Sequence, residues 1–437
     1  MLGLPLPGTS RAAIKRLVPI AQEYMASGAT MLFSAICQFA WFIILARYLG
    51  VVEFGFLMVM TAICTLASSL CGVGAGDAVL RHTARDRRSY PELLGHGLLV
   101  ITATGLILSI VSVLVLQVIL GPETSHRVGI GQIALFAFAN IWLASLISFS
   151  EYIFLGLGEL PRANLIEIGF AFVRLMSAVI GCALFGAATL GEWAVWTTGA
   201  HLIMLAVCVV MLKPFGWPVW QINRHELALG FHYCTPRMLD ALRVNCDRIV
   251  LGIVAPANVL ATYAVAARIT QVSQIVVNSL NRIVYPRFAS RKEFGFRSIR
   301  PMAIAYLSGV TGIATLTAAG VYMIAPFLPV LIGKSYESVI FNLRVLCWLI
   351  VPLAMQTVPY DLLGAFDRHR ARAILYNTMS LAGASLTAAM IYHWGISGAF
   401  TAAYVVETGL AAGLWGLVLH LARTEAPQPP LPERATS

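Results

Sequence analysis

Between Pro236 and Pro286 two long apolar runs, joined by the break Ala255-Pro256-Ala257-Asn258, carry ionised and amide side chains in their interiors. In the first run Arg237, Asp240, Arg243, Asp247 and Arg248 recur at steps of three and four. At 100° per residue that spacing puts them on one helical face. In the second run Gln271, Gln274, Asn278 and Asn281 follow the same spacing, with Arg268 above them and Arg282 below. A charge at the centre of a bilayer costs roughly 2.5–3.5 kcal/mol on insertion scales, so five facing lipid would cost roughly 12–18 kcal/mol. The two faces are therefore expected to line a polar, net cationic cavity inside the membrane.

The rest of the chain has the composition of a membrane scaffold for such a cavity. Of 437 residues, 59% are hydrophobic and 11% charged, against about 25% charged in soluble domains. Runs of about 20 apolar residues recur along the sequence, the length that crosses a bilayer as a helix. The expected fold class is an all-α polytopic membrane protein with spans at 24–46, 54–80, 94–120, 130–157, 163–186, 192–213, 227–254, 258–285, 301–325, 338–364, 371–393 and 397–421. The net charge of +10 would suggest nucleic acid in a soluble protein, but here it marks topology, and no nucleic-acid partner is expected. With the N-terminus inside, 20 of the 30 Lys and Arg fall in cytoplasmic segments and only Arg127 and Lys334 in outside loops. That asymmetry puts both termini in the cytoplasm.

The longest central cytoplasmic connection divides the spans into two sets of six. The expected organisation is a basic N-terminal segment at 1–23, an N-lobe at 24–213, a linker at 214–226, a C-lobe at 227–421 and a Pro-rich, disordered tail at 422–437. A weak echo between the halves, ARYLGVVEFGFLMVM against LGIVAPANVLATYAVAA, fits two parallel repeats around a central site. The eight cysteines lie mostly in apolar runs without a C-x-x-C spacing, so buried free thiols are expected rather than disulfides or a metal site.

Other spans add polar groups. Span four carries Asn140, Ser145, Ser148 and Glu151, and span five carries Asn164, Glu167 and Arg174. Glu167 and Arg174, seven apart, share a face, which allows a salt link or a common cavity wall. Arg174 and Arg268 fall near mid-span without a partner in their own turns, and such a residue is a functional candidate by default. Arg47, Asp77 and Arg81 sit near span ends, where snorkelling or helix-end pairing is the plainer reading. Arg344 and Glu407 fit isolated structural pairs with neighbouring helices equally well.

No catalytic constellation is found. Gly333-Lys334-Ser335 ends like a phosphate-binding loop, but Leu328 stands where its first Gly should be. Gly72-Val73-Gly74-Ala75-Gly76 lies inside an apolar helix, where close packing or a kink is expected instead of a dinucleotide site. His225-Glu226 lacks the second His that a zinc helix needs. Transport is the better class, without a cofactor or a bound metal.

Three stretches resemble one family. RYLGVVEFGFLMVMTAICTLASSLCGVGAGDAVLR resembles the opening signature of bacterial polysaccharide exporters of the O-antigen flippase type. DRIVLGIVAPANVLATYAVAARI resembles their Asp-then-Tyr-x-x-Ala segment, and PFLPVLIGKSYESVIFNLRVL their connection between helices nine and ten. The resemblance covers nearly the whole chain and matches Arg47, Arg81, Asp247 and Tyr263. It implies the V-shaped, two-lobed fold of the multidrug, oligosaccharidyl-lipid and polysaccharide (MOP) exporters in the bacterial inner membrane. It also implies alternating access and a polyprenyl-diphosphate-linked oligosaccharide moved to the outer leaflet. Twelve spans favour the oligosaccharide branch over the fourteen-span peptidoglycan-precursor flippases. Near-absence of cavity Lys departs from familiar members and leaves the coupling ion open.

On that reading Arg174, Arg243 and Arg268 attract the diphosphate, because a guanidinium fork stays charged and binds phosphate oxygens in pairs. Gln271, Gln274, Asn278 and Asn281 bond sugar hydroxyls, and Arg47, Arg237 and Arg248 complete the expected substrate-binding set. Asp240, Asp247, Glu151 and Glu167 are the expected ion-coupling carboxylates, for H+ or Na+. Glycosyltransferases or a polymerase of the same pathway are the expected partners. The alternatives are a multidrug exporter of the same superfamily, which would favour an acidic cavity, and a membrane glycan polymerase or ligase.

Overall fold

A computed structural model of the chain describes residues 11–289 and 295–424. Every regular element among them is helical, as a bilayer requires of a chain that must satisfy its backbone polar groups within each segment. Among the described residues nine helices are long and apolar enough to cross a membrane. Three of these turn at a left-handed glycine, Tyr90–Arg127 at Gly121 (φ +71°) close to its end and the other two where one helix passes into the next. Arg11–Leu70 turns at Gly50 (φ +75°) into α1 (residues 11–49) and α2 (residues 51–70, resumed as Ala75–Thr83). His369–Thr424 turns at Gly395 (φ +56°) into α11 (residues 369–394) and α12 (residues 396–424). Between them lie α3 (Tyr90–Arg127), α4 (Ile130–Gly156), α5 (Leu160–Leu184), α6 (Leu190–Leu212), α8 (Ala257–Ala289), α9 (Gly295–Ile324) and α10 (Ser338–Ala365). The twelfth helix, α7 (Arg224–Val254), carries the run of charges and is not among those nine.

Each expected span coincides with one of these helices. Several helices run past the expected ends, α7 beginning at Arg224 because Asn223 caps it, its Oδ1 accepting from the amides of His225 (3.1 Å) and Glu226 (3.2 Å). All eight cysteines are free, and all but the half-buried Cys71 are buried.

Helices α1–α6 pack mainly among themselves, as do α7–α12, and the seam between the groups is made by α1 and α2 against α7 and α8. The end of the bundle where α1 begins is called the near end here, and the opposite one the far end. At the far end the seam is apolar. Trp41, Phe54, Leu57 and Met60 pack in one buried core with Leu260, Ile332 and Tyr336, and the Tyr336 hydroxyl donates to the Ala46 carbonyl at 2.8 Å. Gly55 lies so close to α8 that a Cβ there would stand 2.1 Å from the Ala257 carbonyl oxygen.

At the near end the seam is a glycine crossing flanked by ion pairs. Gly72, Val73 and Gly74 all have positive φ (+78°, +40° and +73°) and interrupt α2. The Val73 carbonyl thereby points at α7, where a Cβ on Gly230 would come within 1.8 Å of its oxygen. The glycine-rich stretch thus supplies both the kink and the close packing expected of it.

Candidate functional site: a polar seam between two helix groups

The charges on the seam separate into two sets. In the first, carboxylates neutralise the arginines. Arg243 (α7) bonds Glu407 of α12, donates to Asp240 at 3.1 Å and to the Tyr376 hydroxyl of α11 at 3.1 Å. Tyr376 donates on to Asp240 at 2.8 Å, and Gln356 (α10) donates to Glu407 at 2.8 Å. Arg237 donates to Asp77 (α2) at 2.7 Å and to the Tyr152 hydroxyl (α4) at 3.2 Å. Nearby, Glu226 (α7) is buried and accepts from Arg81 at 2.7 Å and contacts His82 at 3.0 Å, both on α2. Arg81 also donates to the Tyr233 hydroxyl at 3.1 Å.

The second set has no carboxylate partner among the described residues. Arg174 (α5) stacks on Trp41 with its guanidinium carbon 4.2 Å from the ring centroid and 5.6 Å from that of Phe170. Its Nε is buried and makes no hydrogen bond. Arg248 (α7) reaches Asn245 at 3.3 Å, while its Nε and Nη2 are buried and unpartnered. Arg268 (α8) donates to Gln38 of α1 at 3.3 Å. Arg268 lies close enough to both Arg174 and Arg248 for each pair to repel. Buried donors are nearly always satisfied, and like charges in a low dielectric are costly. This cluster carries both costs without a counter-charge bonded to it among the described residues.

The remaining candidates fall around these two sets. Arg243, Asp247, Gln271, Gln274 and Glu407 line a cavity of about 310 Å3 within the second helix group, together with Tyr263. There Tyr263 donates to Asp247 at 2.8 Å, so two positions matched by the family resemblance form one bonded pair. Gln274 uses its amide on the Ile350 carbonyl at 3.1 Å. Glu151, Glu167 and Arg174 line a cavity of about 80 Å3 with Gln38 and Ser148. Of the two expectations for Glu167 and Arg174, the common wall holds, and no ion pair links them. Arg47 stands apart at the far end, exposed, with Nη1 3.4 Å from the Leu331 carbonyl. The side chains of Asn278, Asn281 and Arg282 lie outside the described residues.

The single cationic wall expected of α7 is therefore divided. Arg237 and Arg243 are held by acids from other helices, whereas Arg174, Arg248 and Arg268 converge from three helices. Sequence reading passes over Gln38, Trp41, Gln356 and Tyr376. Only Gln38 leaves a local trace, four residues after Ser34, whose Oγ accepts from its amide at 3.2 Å. Among the described residues no three His, Cys, Asp or Glu are disposed to hold a metal.

The twelve-helix bundle with a polar seam between two helix groups superposes on solved transporter structures, and that likeness shows its fold. An inward-facing multidrug resistance MATE family transporter of the MOP superfamily matches with a TM-score of 0.74 at 16% identity, over 90% of this chain and 96% of that one. An outward-facing multidrug resistance MATE family transporter matches at 0.63 and 17%, over 92% and 97%. A Pyrococcus furiosus MOP transporter, described as having a binding pocket of reverse polarity that suggests a different function, matches at 0.64 and 15%, over 92% and 96%. No curated protein sequence matches the chain. The family model of the polysaccharide biosynthesis proteins matches residues 21–292, and the chain belongs to that family.

Proposed function

We propose that this protein moves a polyprenyl-diphosphate-linked oligosaccharide from the cytoplasmic to the outer leaflet of the bacterial inner membrane, for assembly of a cell-surface polysaccharide. The observation that carries this reading is the convergence of Arg174, Arg248 and Arg268 without carboxylate partners among the described residues. A diphosphate matches what they lack. Its oxygens accept from guanidinium forks, and its charge relieves the repulsion between them. The polyprenyl tail stays in lipid beside the seam. The near end, which holds most of the basic connections, faces the cytoplasm together with both termini.

Alternating access follows from the two unlike closures. Of the polar pairs at the near end, the more exposed Arg237–Asp77 exchanges for water at modest cost, and Arg81 reaches water beside the buried Glu226. The far end is held by interlocked apolar side chains and so stays shut while the near end opens. Glu151 and Glu167 are the coupling carboxylates on this reading, since both line the Arg174 cavity and their protonation would alter the field on the anion. Asp240 holds Arg243, and Asp247 is paired to Tyr263.

In cells deleted for the protein, wild type is expected to restore surface polysaccharide. Arg268→Ala and Arg174→Ala, at normal protein levels, are expected to leave complete lipid-linked units on the cytoplasmic side. Full restoration by the double variant would overturn the assignment. Multidrug export is the second reading, favoured by the acids Asp247 and Glu407 in the second cavity. It predicts drug sensitivity with unchanged glycan in the deleted cells.

A further inference from the structure

A cavity of about 360 Å3 opens between α2, α4 and α7, and its lining is unlike that of the other two. Thr65, Ser68 and Ser69 face it from α2, and Ser145, Ser148 and Tyr152 from α4. No carboxylate lines it, and its one charged lining residue is Arg237, which Asp77 already holds. Such a wall suits neither a lipid tail, which would strand the hydroxyls, nor a cationic drug, which would want an acid.

The hydroxyls are oriented in a common sense. Thr65 donates to the Thr61 carbonyl at 2.7 Å, Ser68 to Thr65 at 2.9 Å, Ser69 to Leu66 at 2.6 Å and Ser145 to Ile141 at 2.6 Å. Each thus gives its hydrogen to its own helix and turns lone pairs outward. Tyr152 accepts from Arg237 at 3.2 Å and keeps its own proton to donate. A wall rich in acceptors matches a ligand rich in O–H and N–H donors. The ring faces of Tyr152 and Phe149, which also lines the space, suit the C–H faces of pyranoses.

We propose that this cavity is a sugar subsite, receiving the glycan residues next to the diphosphate. This inference rests on the cargo proposed above and adds where its carbohydrate sits. The link is Ser148, which lines both this cavity and the small one with Arg174 and Gln38, and Gln38 accepts from Arg268. Ser148 has no hydrogen-bond partner among the described residues and is exposed to the space. A sugar esterified to a diphosphate held at Arg174 and Arg268 enters the hydroxyl-lined wall at that point.

The test measures binding to the full-length protein in nanodiscs with two probes. One is a short-chain polyprenyl diphosphate bearing a single N-acetylhexosamine, the other the same diphosphate without sugar. Wild type is expected to bind the sugar-bearing probe about tenfold more tightly, the equivalent of one or two net hydrogen bonds. Ser148→Leu, which fills the junction, is expected to abolish that preference while keeping affinity for the bare diphosphate. The milder Ser145→Ala and Ser68→Ala should each reduce the preference by a few-fold, and Arg268→Ala should weaken both probes alike. Equal binding of the two probes by wild type, or an undiminished preference in all three serine variants, would overturn the subsite alone. If wild type binds neither probe, the cargo reading falls and the subsite with it.

Discussion

Gly230→Ala tests whether the near-end crossing of α2 and α7 is a gate. The new Cβ would stand 1.8 Å from the Val73 carbonyl oxygen and 2.9 Å from its carbon. A carbon–oxygen contact settles at about 3.3 Å, so the two helices must part locally by about 1.5 Å. Val73 has little freedom to yield, since it is already left-handed between two left-handed glycines. Alanine is the better helix former by about 1 kcal/mol, so destabilisation of the closed form must come from the contact itself. Overpacking of this kind costs about 1–3 kcal/mol, which shifts a closed-to-open equilibrium by roughly 5–150-fold. Cys234 lies one turn beyond Gly230, is buried, and lines the near-end cavity. With Cys234 as the sole cysteine, maleimide labelling from the cytoplasmic side should rise at least five-fold in Gly230→Ala. Unchanged labelling together with wild-type transport would refute the gate.

Three further perturbations separate pairing from binding. Arg243→Met leaves Glu407 and Asp240 facing each other, with side chains 15% and 46% exposed; a stability loss of about 3–5 kcal/mol is expected, largely recovered by adding Glu407→Gln, and an unchanged denaturation midpoint would contradict the network. Glu226→Gln removes the partner of Arg81 and His82; because Arg81 is 31% exposed and screened, the cost is about 1 kcal/mol, read as a roughly five-fold rise in Cys234 labelling that Glu226→Asp should largely avoid. Tyr336→Phe deletes the hydroxyl bond to the Ala46 carbonyl and should lower stability by about 1 kcal/mol, with no change if the far-end seal rests on ring packing alone.

The twelve helices were legible because bilayer thickness imposes a length on each apolar run, and the shared face of Arg237, Asp240 and Arg243 because helical spacing is local. Partner choice was not. Arg243 and Arg268 look alike in sequence, each a cation near the middle of a span. One is neutralised by Glu407 and the other donates to Gln38, and those partners lie 164 and 230 residues away. Helical periodicity carries no information over such separations. The same limit applies to Gly230, whose role depends on a carbonyl of α2. Ser145 and Ser148 were visible as polar residues, but the common orientation of the hydroxyls around them depends on how α2 and α4 approach.

The most direct test of the account is leaflet transfer in proteoliposomes. A labelled polyprenyl-diphosphate oligosaccharide is placed in one leaflet, and the fraction reached by an impermeant glycan-cleaving enzyme in the other is followed with time. The account predicts transfer by wild type and loss of at least tenfold in rate for Arg174→Ala with Arg268→Ala. Transfer undiminished in that double variant, or a wild type that moves cationic drugs and leaves the glycan lipid in place, would contradict it.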